Sequence, residues 1–156
     1  MQHKKYIISE FMNDNVITVN ESSTLREAIE IMIKNKTNGL VVVDEARKVI
    51  GILSSWDIIQ HIVPDYLEED MHLASFESGD VLIQRTKETA NDSIAKFMTA
   101  KVHTVKPQET LMEAAAILSE FRIRQLPVVD DNGVLIGYIN RTDIKEAIGD
   151  ILGIIK

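Results

Sequence analysis

The stretch FMNDNVITVNESSTLREAI at residues 11–29 returns as FMTAKVHTVKPQETLMEAA at residues 97–115. A second stretch, GLVVVDEARKVIGILSSWDI at 39–58, returns as QLPVVDDNGVLIGYINRTDI at 125–144. Residues 11–62 and 97–148 align at a constant offset of 86 positions without a gap, and 19 of the 52 aligned pairs are identical. Two copies need to pack on each other, because neither buries its apolar face alone, so the duplication predicts a paired fold.

Each copy begins with a short strand and a capped helix. An alternation of apolar and polar residues around Val16 and Val102 predicts the strand. Thr24 and Thr110 each stand three residues before a Glu, which is the pattern of a capping box, and apolar residues follow at helical spacing. One face of each helix is therefore predicted to lie in the core.

Two further strands and a last helix complete each copy. Short β-branched runs predict the strands, at residues 40–44, 49–53, 126–130 and 134–139. A last helix is predicted to begin at Ser54 in the first copy and at Asn140 in the second. The order strand, helix, strand, strand, helix predicts an α/β fold of two β-α-β-β-α repeats.

The sequence divides into an amino-terminal lead-in (1–10), a first repeat (11–62), a connector (63–96), a second repeat (97–148) and a tail (149–156). The acidic connector is too long for a simple loop, and we predict a broken helical segment at about 66–76 and another at about 88–96. The apolar tail Ile151–Ile155 is predicted to extend the last helix into the core or into a subunit contact.

Composition excludes several classes of function. The net charge of −7 argues against a nucleic acid as main partner, because duplex binding needs a basic face. The apolar runs are far shorter than the roughly 20 residues that span a bilayer, so no membrane partner is expected. With no cysteine, disulfides and thiolate metal sites are excluded and the cytoplasm is the expected compartment. The histidines are scattered and no Ser/His/Asp order stands out, so neither a metal site nor an enzyme is expected.

The end of each copy predicts a binding site. GILSSWD at 51–57 and GYINRTD at 137–143 place a strand glycine, a small polar residue and then an Asp three residues later. A strand that runs into a helix amino terminus offers amides and a positive dipole end to an anion. The Asp can accept both hydroxyls of a ribose, and the glycine lets a flat ligand approach. The same spacing also fits helix capping, and the two interpretations are compatible.

The ordered set of motifs, present twice, resembles a tandem pair of cystathionine-β-synthase (CBS) domains, also called a Bateman module. The carrying motifs are the T-L-x-E-A helix, the L-P-V-V-D strand and the G-h-h-S/T-x-x-D tail, where h is apolar. The resemblance implies two repeats packed about a pseudo-two-fold axis, with two equivalent clefts between them. Such pairs commonly bind adenosine-containing ligands and report cellular energy or second-messenger status to another protein.

The resemblance also implies roles for individual residues. Asp57 and Asp143 would hold ribose hydroxyls. Four residues would face phosphates: Ser54, Ser55, Asn140 and Arg141. Eight would line the adenine pockets: Val16, Thr37, Asn38, Gly39, Val102, Ile123, Arg124 and Gln125. Trp56 and Tyr138 are aromatic residues that suit adenine stacking, although core packing is the commoner fate of such residues in apolar patterns.

The two predicted sites are not equal. Asn140 replaces the usual Ser or Thr, and Arg141 beside it can supply a charge-assisted bond to phosphate instead. Gly39 in the first copy corresponds to Gln125 in the second. Basic residues are also unevenly shared, with Arg122, Arg124 and Arg141 in the second copy against Lys34 and Lys36 in the first.

The expected protein is a homodimeric sensor that binds AMP, ADP, ATP or a related adenosyl compound, requires no cofactor and signals to a separate effector protein. The alternative is a dimerisation scaffold whose pockets stay empty, because a fold does not determine a function. A thermal-shift panel of adenosyl ligands distinguishes the two.

Overall fold

The structure is a computed structural model that describes residues 3–77 and 79–154. The described residues form five strands: β1 Thr18–Asn20, β2 Gly39–Val43, β3 Val49–Ser54, β4 Gln125–Val129 and β5 Leu135–Asn140. Six α-helices accompany them: α1 Leu25–Asn35, α2 Ser55–Ile62, α3 Asp65–Glu69, α4 Gly79–Thr89, α5 Leu111–Glu120 and α6 Arg141–Ile151. One sheet has the order β1-β2-β3, and β4 pairs antiparallel with β5. The predicted α/β class is confirmed.

The chain divides into two compact units, each with its own core. The first-repeat unit contains Ile17–Val42 and Ile50–Lys101. The second-repeat unit contains the residues up to Val16, Val43–Val49 and the residues from Val102 onward. The capped helices bury the faces that their periodicity predicts, through Leu25, Ala28 and Met32 in α1 and through Leu111, Ala114 and Leu118 in α5.

Each core is completed by a segment that precedes the other repeat. Ile8 is fully buried in the second-repeat core, and Ile94, its counterpart at the same offset, is fully buried in the first-repeat core. The amide of Ile8 donates to the Glu109 carbonyl at 2.9 Å, and the amide of Ile94 donates to the Ser23 carbonyl at 3.0 Å. We call Ile8–Asn13 and Ile94–Thr99 the crossing segments. The alignment boundaries at residues 11 and 97 fall inside them.

The opening strands differ from prediction. In the first copy the strand forms at Thr18–Asn20, about two residues later than the alternation around Val16 predicts. The second copy, over the part that the structure describes, has only a single parallel bridge from Val105 to Val128. The prediction of a strand at Val102 is therefore wrong, because only one residue of the opening segment pairs with β4.

The connector is helical, but its second helix lies earlier than predicted. α3 and a 3-10 stretch at Met71–Phe76 form the broken segment predicted at 66–76. α4 ends at Thr89, whereas a helix was predicted to begin at about 88. Arg85 anchors α4 by donating to the carbonyls of His61 and Ile62 at the end of α2, both at 2.9 Å. This long-range contact has no signal in the connector sequence.

The tail does not extend the last helix into the core. α6 ends at Ile151, and Ile151, Leu152 and Ile154 are exposed. Gly153 adopts a left-handed φ of 71°, a conformation that favours glycine and ends the helix. A subunit contact through this tail stays a prediction, and Ile155 lies outside the described residues.

The hairpin turns of the two copies share an Asp that accepts backbone amides and differ in the residue at their left-handed position. Asp44 accepts two backbone amides of its turn through Oδ1, both at 2.9 Å, and Asp130 does the same at 2.8 and 3.0 Å. Three residues after each Asp the backbone is left-handed, with φ 60° at Arg47 and φ 80° at Gly133. Glycine adopts this conformation freely, and arginine does so at a cost.

Candidate functional site at the strand-to-helix junctions

In each repeat the last strand runs directly into the last helix. Ser54 ends β3 and caps α2, and Asn140 ends β5 and caps α6. We call residues 54–57 the first junction and residues 140–143 the second junction. The first junction lies in the first-repeat unit and the second in the second-repeat unit.

Both junctions are capping boxes, so the capping interpretation is confirmed. Ser54 Oγ accepts the Asp57 amide at 3.2 Å, and Asp57 Oδ2 accepts the Ser54 amide at 2.9 Å. Asn140 Oδ1 accepts the Asp143 amide at 3.0 Å, and Asp143 Oδ2 accepts the Asn140 amide at 2.8 Å. At each junction one carboxylate oxygen is thus already bonded to backbone.

The strand glycines make room for the protein's own chain. A Cβ at Gly137 would lie 2.7 Å from the Asn13 carbonyl oxygen. A Cβ at Gly51 would lie 2.6 Å from the Met98 sulfur and 3.2 Å from the Thr99 carbonyl oxygen. At these points Asn13 forms a single β-bridge with Tyr138 in β5, and Thr99 forms one with Ile52 in β3. The prediction that the glycines admit a flat ligand is therefore wrong, because this space is filled.

At the first junction, residues predicted to bind ligand lie together. The Ser55 amide donates to the Asn38 carbonyl at 2.9 Å, and Ser55 Oγ donates to Asn38 Oδ1 at 3.2 Å. Thr37 Oγ1 donates to the Gly39 carbonyl at 3.1 Å. The Ser55 amide, which the sequence predicted to be open to an anion, is therefore occupied by the chain itself.

A cavity of about 470 Å³ lies beside these residues. Its lining is mostly apolar: Ile29, Met32, Ile33, Lys36, Thr37, Asn38, Ser55, Ile58 and Ile59. Three of the predicted site residues, Thr37, Asn38 and Ser55, contribute to this lining. Trp56 is 66% exposed, so the expectation that it packs in the core is wrong.

At the second junction the carboxylate is buried and bonded on both oxygens. Asp143 is 5% exposed, and Asn13 Nδ2 donates to its Oδ1 at 3.0 Å and to its Oδ2 at 2.9 Å. Desolvation raises the pKa of Asp143, and the bonds from the Asn140 amide and from Asn13 offset part of that rise. Asn13 belongs to the crossing segment, so the amino-terminal part of the chain closes this carboxylate.

Asp57 lacks this closure. It is half-buried, and within residues 3–77 and 79–154 its Oδ1 accepts no hydrogen bond. Thr99 stands where the second unit has Asn13, and its side chain makes no hydrogen bond to Asp57 among the described contacts. The two junctions share their capping boxes, but within the described residues only the carboxylate of the second junction has a partner from a crossing segment.

The remaining predicted residues are spread along the second-repeat unit, which also contains Val16 and Val102. Gln125 pairs with Asn140 in the β4–β5 register and so lies beside the second junction. Ile123 packs against the core, and Tyr138 is half-buried opposite Pro127. The side chains of Arg124 and Arg141 are exposed, and neither forms an ion pair with another described residue.

Sequence reasoning missed Asn13. The repeated Phe-Met dipeptide marks the end of both crossing segments, and the alignment places Asn13 opposite Thr99. That difference, directly after the shared Phe-Met pair, was the available signal. It is uninformative until the fold shows which carboxylate lies next to Asn13.

No cluster of three or more His, Asp or Glu side chains within residues 3–77 and 79–154 could hold a metal ion. No helix within these ranges has the length and apolar composition needed to cross a membrane.

Known proteins resemble this chain in sequence and in fold. The family model of the CBS domain matches residues 8–64 and 94–150. The uncharacterized protein MJ1426 of Methanocaldococcus jannaschii is 32% identical over 145 residues, which cover 85% of this chain and 85% of that protein. CBSX2 of Arabidopsis thaliana, solved in complex with AMP, is 27% identical with a TM-score of 0.72, over 94% of this chain and 98% of that one.

A third relative is the CBS domain pair of protein MJ0100, solved with 5-methylthioadenosine and S-adenosyl-L-methionine. It is 25% identical with a TM-score of 0.67, and the alignment covers 93% of this chain and 97% of that one. The matched family segments begin at the buried Ile8 and Ile94 and include both crossing segments and both junctions. The chain therefore belongs to the CBS domain family and carries two copies of the domain.

Proposed function

We propose that this protein is a regulatory module that binds an adenosine-containing ligand, such as AMP, ADP or ATP, and has no catalytic activity of its own. Two relatives match almost the full length of this chain. CBSX2 was solved with AMP, and the CBS domain pair of MJ0100 was solved with 5-methylthioadenosine and S-adenosyl-L-methionine. The shared chemistry of these ligands is a purine joined to a ribose. A ribose-recognising carboxylate is therefore the feature that this chain needs.

The first junction is the observation that carries the proposal. Asp57 has a carboxylate oxygen with no described partner, at the amino end of α2 and two residues after Ser55. Ribose hydroxyls donate to such an oxygen, and a carboxylate offers about four lone-pair sites in total. Thr37, Asn38 and Gly39 would face the base.

A second, separate site is proposed at the second junction, where Arg141 and Arg124 favour the phosphate of its ligand. The amide of Arg141, the first residue of α6, donates to no described residue, whereas the matching amide of Ser55 is bonded to Asn38. The exposed Arg141 side chain adds a charge-assisted donor at the same helix end. Arg124 and Gln125 would contribute to the same site.

A homodimer is part of the proposal, with contact through the exposed face of α1 and α2. Ile33 is 73% exposed and Ile59 is 51% exposed, and both line the apolar cavity. Covering such side chains would remove apolar surface from water at about 25 cal/mol per Å². Ligand occupancy would then be reported to a separate effector protein through the assembled dimer.

Calorimetry with AMP, ADP, ATP and S-adenosylmethionine on the full chain tests the binding proposal. At least one ligand should bind, and at a hundred times its dissociation constant it should stabilise the protein by about 2.7 kcal/mol. Asp57→Ala should weaken binding at least tenfold, whereas Asp131→Ala should not change it, because Asp131 is exposed in a turn outside both junctions. If none of the four ligands binds, the scaffold alternative is favoured.

A further inference from the structure

The two carboxylates at the junctions share their local backbone structure and differ in the side chains that contact them. Each closes a capping box, lies at the third position of a helix and follows the last strand of its own repeat. Asn13 donates to both oxygens of Asp143, and Thr99, its counterpart, donates to neither oxygen of Asp57 within the described contacts. The chain thus contains its own matched control.

We propose that Asn13 is a specificity-determining residue that closes Asp143 to ribose, so that the first-repeat unit holds the preferred nucleoside site. This inference rests on the proposed adenosine-ligand function and assigns to one residue the inequality between the sites. Ribose binding at the second junction requires the Asn13 side chain to leave the carboxylate. Ribose binding at the first junction requires no such displacement.

The hydrogen-bond capacity of the carboxylate gives the physical reason. Asp143 accepts the Asn140 amide and two contacts from Asn13, which uses three of about four acceptor positions. A ribose that donates two hydroxyls cannot be accommodated beside them. Because Asp143 is 5% exposed, its surroundings also leave little room for a sugar while Asn13 stays in place.

The excess of arginine in the second repeat has the opposite effect. Arg124 and Arg141 favour a phosphate near the second junction, yet they do not open the carboxylate. The second unit can therefore attract the charged end of a nucleotide while it disfavours the sugar. Because the same ligand binds at both sites, the phosphate is common to them and the ribose contact should determine which unit is occupied first.

Calorimetry with AMP, in variants that leave one junction intact, isolates each site. In an Asp57→Ala background, Asn13→Thr should tighten AMP binding about tenfold, the equivalent of about 1.4 kcal/mol. In an Asp143→Ala background, Thr99→Asn should weaken AMP binding by about the same factor. Asp57→Ala alone should remove the tighter site, and Asp143→Ala alone should leave it.

The outcomes separate this inference from the proposed function. If AMP binds equally at both junctions, or if Asn13→Thr leaves the second site unchanged, the role of Asn13 is wrong and the binding function stands. If AMP binds to no variant, both are overturned. Melting temperatures of all variants, with Asp131→Ala as reference, show whether a lost site reflects unfolding.

A measurement without ligand tests the closure itself. The side-chain amide signals of Asn13, assigned by their disappearance in Asn13→Thr, should shift in nuclear magnetic resonance spectra of Asp143→Ala. They should not shift in Asp57→Ala. If the Asn13 signals do not shift in Asp143→Ala, the hydrogen bonds from Asn13 to Asp143 do not exist in solution. The inference would then be overturned regardless of the AMP-binding results.

Discussion

The first and second junctions carry the same local structure and differ in what closes them. At the first junction the carboxylate is open and the first helix amide, that of Ser55, is occupied by Asn38. At the second junction the carboxylate is occupied by Asn13 and the matching amide, that of Arg141, is bonded to no described residue. Duplication therefore preserved the caps, while single replacements in distant segments divided the binding groups between the copies.

The largest expected effect is on stability when the carboxylates are removed. Asp143→Ala removes the carboxylate half of the capping box and leaves the half-buried Asn13 amide without its acceptor, which together should cost about 3 kcal/mol. Asp57→Ala removes only the carboxylate half of the capping box and should cost about 1 kcal/mol. Urea denaturation of the two variants measures the difference. Equal losses would show that the Asn13 contact contributes nothing to folding.

Replacement of the strand glycines should also destabilise the two copies unequally, with a smaller difference between them. Gly137→Ala places a methyl group 2.7 Å from the Asn13 carbonyl, a backbone atom that moves only with its segment, so it should cost about 2 kcal/mol. Gly51→Ala meets first the flexible Met98 side chain, which can swing aside, and should cost about 1 kcal/mol. Thermal denaturation of both variants tests the order. A larger loss for Gly51→Ala would contradict it.

The duplication and the helix caps were predictable because they are local. Reciprocal capping boxes form at Asp57 and Asp143, but among the described contacts Glu27 and Glu113 do not return the bond, so that part of the prediction for α1 and α5 is wrong. Thr24, Thr110, Ser54 and Asn140 all cap the helices that their spacing predicts. A cap needs only a short side chain and an amide three residues away, and both are visible in the sequence. The strands of the two hairpins follow in the same way from β-branched runs.

The partners of the junctions were not predictable, because they come from far along the chain. Asn13 reaches Asp143 across 130 positions, and its identity says nothing about a carboxylate until the crossing segment is placed. The role of the strand glycines failed for the same reason. A glycine on a strand predicts close approach, but only the fold shows that the approaching group is the chain itself.

The hairpin turns extend the comparison to residues outside the junctions. Arg47 has a φ of 60° where the second copy has Gly133, and a left-handed arginine costs about 1 to 2 kcal/mol. Glycine avoids that cost but loses more entropy on folding, about 0.5 to 1 kcal/mol. Arg47→Gly should therefore stabilise the protein by about 0.5 to 1 kcal/mol in urea denaturation, and Gly133→Ala should destabilise it. A destabilised Arg47→Gly would mean that the arginine side chain makes a compensating contact.

The smallest expected effect is a pH dependence of the closed junction. Burial raises the pKa of Asp143 above its ordinary 3.8, so between 3.8 and the raised value the folded protein holds more protons than the unfolded chain. The contribution of Asp143 to stability is then greatest at low pH and falls as the pH rises through that window. The stability of the parent relative to Asp143→Asn should decline over the same interval.

Asp150 on the same helix supplies a control of opposite sign. The hydrogen bond from Lys4, at 2.9 Å, lowers the pKa of Asp150 below 3.8. Its contribution is therefore present above pH 3.8 and is lost as the pH falls through the lowered value. As the pH falls across this acidic range, the urea midpoint of the parent should rise relative to that of Asp143→Asn. It should fall relative to that of Asp150→Asn. If both differences run in the same direction, the carboxylate of Asp143 is not paying a desolvation cost, and its burial behind Asn13 is not maintained in solution.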